Sequence, residues 1–177
     1  VSDSRKSLAA LADAFFGHPT QKLKTIGITA TNGKTSTAFM TNAILENHGF
    51  KTGLMGTIVV KIGDYAEPSD LTTPESLDLH RFFKQMVDAE VTHVTMEVSS
   101  SALELNRIGN VDFDIVTLNN ISREHIDLHA TFENYLEFKS GHIRNAKKGQ
   151  IAILNLDDEY SAALVDHTEA DVVTIGV

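Results

Sequence analysis

The sequence contains no cysteine. Neither disulfide bonds nor thiolate chemistry is therefore available to it. That absence is compatible with a cytoplasmic location, which is the expectation here. No apolar run approaches the roughly 18–20 residues of a membrane span, and no signal peptide is visible, so no membrane partner is expected. Positive charge is scarce: 15 Lys and Arg stand against 24 Asp and Glu, a formal net charge of −9. Such a balance argues against nucleic acid or an anionic membrane surface as partner, while leaving room for a local basic pocket that takes phosphate. There is no internal repeat, low-complexity tract or linker. The chain begins with Val1 rather than Met, which reads as a piece cut from a longer protein. Its 177 residues suffice for one domain with a sizeable core, expected to be a monomer.

What the chain does have is the stretch Lys24–Thr37, KTIGITATNGKTST. Its first half is β-branched and reads as a strand. Its second half turns at Asn32-Gly33, both of which tolerate positive φ, and runs into a helix. A strand, a tight glycine turn and a helix start make an anion site, because free N–H groups and the helix dipole both favour negative charge. Lys34 would reach the β- and γ-phosphates of a nucleotide, and the Thr35 hydroxyl would sit on Mg²⁺. Thr31, Asn32, Gly33 and Ser36 complete the expected cradle for ATP. The match to G-x-x-x-x-G-K-[ST] is short by one position: the first glycine would fall at Ile28, and the nearest is Gly27. The bland alternative is a chance GKT in a loop.

Elements on either side alternate. Helices are expected at Leu8–Phe16, Thr35–His48, from a Thr73 cap with Pro74 at the first position, over Phe132–Lys147, and at Asp158–His167. The second should bury Phe39, Met40, Ala43 and Ile44, and the third Leu79, Phe82, Phe83 and Met86. Strands are expected within Thr57–Ile62, at Val91–Val98, Asp112–Leu118, Ile151–Leu156 and Asp171–Ile175, with Tyr65–Leu71 as loop. This order predicts an α/β fold, a mainly parallel sheet flanked by helices on both faces. The phosphate loop, Glu97-Val-Ser-Ser and Asn119–His129 each follow a strand and should meet at one sheet edge, where such folds bind ligands.

Glu97 ends an apolar strand, where a carboxylate is costly unless paired or on a metal. It is a candidate Mg²⁺ ligand; a glutamate bonded to backbone N–H groups is the alternative. His125 sits in a polar loop with Asp127 and His129, and neutral imidazole is a common metal ligand, although a lone loop histidine is more often plain surface. Asn120 and Asn155 follow strands and could contact nucleotide. Arg107 carries a fork suited to carboxylate or phosphate, or is simply exposed. Lys139 falls inside the apolar stripe of Phe132, Tyr135, Leu136 and Ile143, so its amine must snorkel, find an anion or lose its charge. His18, His48, His80 and His93 have no motif around them and read as structural.

Five segments in one order, GITATNGKTST, LTTPESLDLHRFF, MEVSSSAL, NNISREHIDLHATFENYLEFK and ILNLDDE, resemble the ATP-binding central domain of the Mur ligases, in the branch of the UDP-N-acetylmuramoyl-tripeptide synthetases. The resemblance spans about Leu8 to Val177 and implies a P-loop NTPase-like parallel sheet. It also implies an ATP-dependent peptide ligase of cell-wall precursor synthesis, whose substrates are UDP-MurNAc-dipeptide and an amino acid, lysine or diaminopimelate. By the same resemblance, Lys34 and Lys139 are catalytic, Thr35, Glu97 and His125 hold metal, and Thr72, Thr73, Ser99 and Arg107 contact the muramoyl substrate. Lys139 stands where these ligases carry a carbamylated lysine. A folylpolyglutamate synthase-like ligase or a non-catalytic nucleotide module are the rival readings. Ala30, Leu71, Ser101 and Leu105 depart from the family pattern; at Ala30, where glycine is usual, a methyl group would be expected to crowd the phosphate.

Overall fold

The computed structural model describes residues 3–123 and 131–177. Its elements in chain order are α1 Ser4–Phe15, β1 Lys24–Thr29, α2 Lys34–Asn47, β2 Thr52–Met55, β3 Val59–Ile62, β4 Tyr65–Pro68, α3 Ser76–Asp88, β5 His93–Glu97, α4 Ser100–Glu104, β6 Ile115–Leu118, α5 Phe132–Arg144, β7 Ile151–Asn155, α6 Glu159–Ala162 and β8 Asp171–Ile175. The strands form one sheet in the order β4-β3-β2-β5-β1-β6-β7-β8. From β2 to β8 every pairing is parallel, and β3 and β4 add an antiparallel edge. The α/β architecture and the mainly parallel sheet are as the alternation of elements implied.

β1 lies at the centre, between β5 and β6, and its last five residues are all buried. Its alternation sorts the two faces. Ile26 and Ile28 cluster with Ala38 of α2 and Leu54 of β2 on one side. Gly27 looks to the other side, where a Cβ would come within 3.1 Å of Phe113 and of His142 on α5. That second side carries the larger core, with Leu79, Phe83 and Met86 of α3, Met96 of β5 and Tyr135 and Ile143 of α5.

Several boundaries differ from the sequence expectation. α1 starts at Ser4 because the Asp3 carboxylate accepts from the Arg5 and Lys6 N–H groups, an N-cap the apolar pattern could not show. The 65–71 segment is not all loop: β4 pairs with β3 across a tight turn at Asp64 and Gly63, where φ is +59°. α3 begins at Ser76 with Glu75 in the cap position and no side-chain cap bond, so Thr73 is not its cap and Pro74 not its first residue. The Thr73 hydroxyl is drawn to β5 instead, donating to the Glu97 carbonyl at 2.8 Å.

The largest correction concerns α2. Phe39, Met40, Ala43 and Ile44 are all exposed, Ile44 at 70 %, while Ala38 and Asn42 are the buried residues of the helix. Two stripes of α2 were available, and close approach to β1 selected the one with the small residue. On the same side of the sheet, β6, β7 and β8 carry no helix among the described residues. Ile115, Ile151 and Ile153 are only half-buried there, and Val173 and Ile175 are exposed.

Candidate active site

β1 ends at Thr29, and Ala30–Gly33 turn the chain into α2 over the carboxyl end of the sheet. Gly33 takes φ +86° at the helix N-cap, a backbone state that side chains resist. Among the described residues no side-chain cap bond is made at this helix start, which borders the cleft through Gly33, Lys34 and Thr35. Ala30 needs no such freedom: its φ is not positive and it is fully buried, outside the cleft lining. The methyl group expected to crowd the phosphate is buried and forms no part of the cleft wall.

Asn120, at the exit of β6, clamps this loop. Its Oδ1 accepts from the Asn32 N–H at 2.9 Å, its Nδ2 donates to the Asn32 carbonyl at 3.0 Å, and its own carbonyl accepts from the Thr31 N–H. Asn155, from β7, donates to the Asn119 carbonyl and so supports the same corner. Both asparagines hold the loop in place with their side chains.

Lys34 lies in the first turn of α2 and folds back over the loop, donating to the carbonyls of Ala30 and Thr31 at 3.0 and 3.1 Å. Lys139 arrives from α5 on the other face of the sheet. Its amine donates to the same Ala30 carbonyl at 2.6 Å and to Thr29 Oγ1 at 3.2 Å. It is 1 % exposed and does not snorkel. Burial, and then the nearby Lys34 charge, push the Lys139 amine down to about 7.

Glu97 ends β5 beside β1 and is 1 % exposed. Its carboxylate accepts from Thr35 Oγ1 at 2.9 Å, from the Thr57 N–H at 2.9 Å and from Thr57 Oγ1 at 3.1 Å. The room for it is made by Gly56, where a Cβ would stand 2.2 Å from Glu97 Oε1. Thr35 and Glu97 thus offer adjacent hard oxygen donors at the mouth of the phosphate loop, a set that fits Mg²⁺. His125, the third expected ligand, lies outside the described residues, as do Asp127 and His129.

The cleft these groups share has a volume of about 390 Å³ and is walled by Thr31–Thr35, Thr57, Thr72, Glu97, Ser99–Ser101, Tyr135 and Lys139. Thr72 Oγ1 meets Thr57 Oγ1 at 3.1 Å, and Ser99 caps α4 through the Ala102 N–H. Arg107 donates to the Thr73 carbonyl and pairs with Glu75 at 2.9 Å. Thr72, Thr73, Ser99 and Arg107 are therefore neighbours. Thr73 is fully buried with its hydroxyl engaged, so it acts on the cleft by fixing its wall. Ser36 stands exposed one step further along α2. A larger cavity, about 550 Å³, lies below α5 near Phe113 and His142. It lacks the convergence of two lysines and a carboxylate that marks the first cleft.

Three contributors were not singled out in the sequence. Thr57 was read as the start of a strand and Gly56 was given no role, and the signal lay in β2 ending at the same sheet edge as β1. Tyr135 was counted only as a member of an apolar stripe.

The family model of the Mur ligase middle domain matches residues 28–177. The chain belongs to the Mur ligase family. Among relatives of this Mur ligase domain is the UDP-N-acetylmuramoyl-L-alanyl-D-glutamate–2,6-diaminopimelate ligase of Caldanaerobacter subterraneus subsp. tengcongensis, 45 % identical over the whole chain and 36 % of its own length. The protein of the same name from Geobacillus kaustophilus is also 45 % identical, over the whole chain and 37 % of its length. The chain thus spans little more than a third of the relatives it matches. A solved structure of such a diaminopimelate ligase superposes with a TM-score of 0.82 at 23 % identity, over 97 % of this chain and 36 % of that one. Mycobacterium tuberculosis folylpolyglutamate synthase, solved with ADP and AMPPCP, gives 0.71 at 16 % identity, over 96 % and 46 %. At these identities the superpositions speak to the fold alone. No helix among the described residues is long and apolar enough to cross a membrane.

Proposed function

We propose that this chain is the ATP-binding core of a cytoplasmic ligase that joins 2,6-diaminopimelate to UDP-MurNAc-L-Ala-D-Glu. The observation that carries the reading is the meeting of Lys34, Thr35, Glu97 and Lys139 in one cleft, in a chain 45 % identical throughout to ligases of that name. In the proposed reaction a substrate carboxylate oxygen attacks the γ-phosphorus of ATP and the bond to ADP breaks. The diaminopimelate amine then attacks the acyl phosphate carbon, the C–O bond to phosphate breaks, and an amide forms. The loop N–H groups and α2 hold the phosphates, and Lys34 neutralises charge on the transferring group. Thr31, Asn32, Gly33 and Ser36 shape this cradle, with Asn120 behind it. Thr35 and Glu97 would hold Mg²⁺, which when bound screens the phosphate oxygens from one another. His125 is proposed for a second metal.

Lys139 is proposed to react as the neutral amine with CO₂, forming an N–C bond and releasing a proton, so that a carbamate oxygen faces the metal site. Near pH 7 a substantial share of this amine is neutral. Thr72, Ser99 and Arg107, with Thr73 behind them, are proposed to take the muramoyl-dipeptide end; Arg107 would exchange Glu75 for a substrate anion. The domain is proposed to act as a monomer. Alone it should bind nucleotide without completing ligation, because positioning of the reactants can supply up to roughly 7–11 kcal/mol of barrier reduction.

The test is calorimetric titration of the chain with ATP and Mg²⁺, then ATPase and ligation assays on the full-length protein with UDP-MurNAc-dipeptide and diaminopimelate. Ligation only with a folate substrate would replace this reading by the folylpolyglutamate branch. Binding without turnover in the full-length protein would leave a nucleotide module. Lys139→Ala should lose activity and regain part of it with added short carboxylates. Full activity without them removes Lys139 from the mechanism.

A further inference from the structure

Tyr135 stands on α5 one helical turn before Lys139, so both side chains leave the same face of the helix. It is 1 % exposed, yet its edge borders the cleft. A buried phenol ordinarily finds a hydrogen-bond partner, and a satisfied core tyrosine would need no further explanation. Here the partner is part of the phosphate loop: the hydroxyl shares a 2.7 Å hydrogen bond with Thr31 Oγ1. The same Thr31 oxygen accepts from the Ser122 N–H at 2.9 Å. One phenol therefore ties α5 to the loop and, through Thr31, to the exit of β6.

The ring has a second neighbour. Lys139 Nζ lies 5.1 Å from its centroid, within the range at which an aromatic face attracts an ammonium. Lys139 in turn donates to the Ala30 carbonyl, next to Thr31. Adjacent residues at the entry of the loop are thus gripped from one helix by two side chains that also touch each other. We infer that Tyr135 is a positioning residue of the phosphate site, its hydroxyl fixing the loop through Thr31 and its ring fixing the Lys139 amine. This rests on the nucleotide-site reading above.

The two roles separate by substitution. Tyr135→Phe keeps the ring and removes the Thr31 bond. Calorimetry with AMPPCP and Mg²⁺ should show affinity for the variant chain reduced about fivefold, the size expected for one hydrogen bond. NMR titration of the Lys139 amine in CO₂-free buffer, assigned by its loss in Lys139→Met, should show an unchanged midpoint. Tyr135→Leu removes the ring as well, and the Lys139 midpoint should fall by about half a unit further, because the ring no longer favours the charged form. Packing loss alone would lower the melting temperature without this division between variants. Should the leucine variant fail to fold, Tyr135→Met supplies the same comparison. Unaltered affinity in Tyr135→Phe overturns the hydroxyl's role, and an unmoved Lys139 midpoint without the ring overturns the second. If the wild-type chain itself fails to bind AMPPCP, it is the nucleotide reading that falls.

Discussion

Lys139 is where burial and charge conflict most directly. Burial first, and Lys34 second, lower its amine from 10.5 to about 7. Between those values the unfolded chain binds more protons than the folded one. Stability therefore rises with pH across this window, and falls as pH drops toward 7. From pH 7 to 9.5 in CO₂-free buffer, urea unfolding should show wild type gaining about 3 kcal/mol relative to Lys139→Met. Equal pH slopes in the two proteins would show that the amine stays charged in the fold. Gly56 gives a second expectation at this scale. A Cβ there would stand 2.2 Å from Glu97 Oε1, so Gly56→Ala must move the carboxylate or the turn that meets it. Nucleotide affinity measured with Mg²⁺ should fall tenfold or more, while affinity measured in chelator should change little. An equal loss under both conditions would mean that the loop itself had moved. Neither conflict was legible in one dimension. The stripe position of Lys139 was visible, but its shared acceptor with Lys34 depends on two helices from opposite faces of the sheet.

Among the elements, α3 and α2 show when periodicity suffices. The stripe Leu79, Phe82, Phe83 and Met86 is buried as its spacing implied, because it is the one sustained apolar stripe of α3, with Leu77 the one exposed large apolar residue outside it. α2 offers apolar residues on more than one side, and its pattern could not tell which one the sheet would accept. Close approach chose Ala38, leaving Ile44 70 % exposed. Leu79→Ala should therefore cost about 2–5 kcal/mol in denaturant unfolding. Ile44→Lys should stay within about 0.5 kcal/mol of wild type. A large loss from Ile44→Lys would place that side chain in a contact absent from this fold. The strand ends were read within a few residues because each lies at a turn, and β8 was read at its observed bounds. β2 and β4 were missed because four-residue strands in a hairpin carry too few alternations to stand out.

For the whole molecule, the parallel order of β2, β5, β1, β6 and β7 sends every strand's carboxyl end to one edge. The phosphate loop, Glu97 and Asn120 meet there although 88 residues separate Asn32 from Asn120. That convergence follows from alternating strands and helices and was legible early. It also makes the site a cross-link, since a ligand in the cleft would join the ends of β1, β5 and β6 through the groups they carry. A nucleotide that binds only the folded chain must then stabilise all of it by mass action. At a hundred times its dissociation constant the gain is about 2.7 kcal/mol. For a domain of this size that corresponds to a rise in melting temperature of roughly 5–11 °C. Scanning calorimetry with AMPPCP and Mg²⁺ should show this rise. Glu97→Gln should lose the part of it that depends on Mg²⁺, since the carboxylate charge that holds the cation is gone while its shape remains. A melting temperature indifferent to nucleotide at saturating concentration would show that the cleft does not bind it. A Mg²⁺ increment retained in Glu97→Gln would move the metal to other ligands.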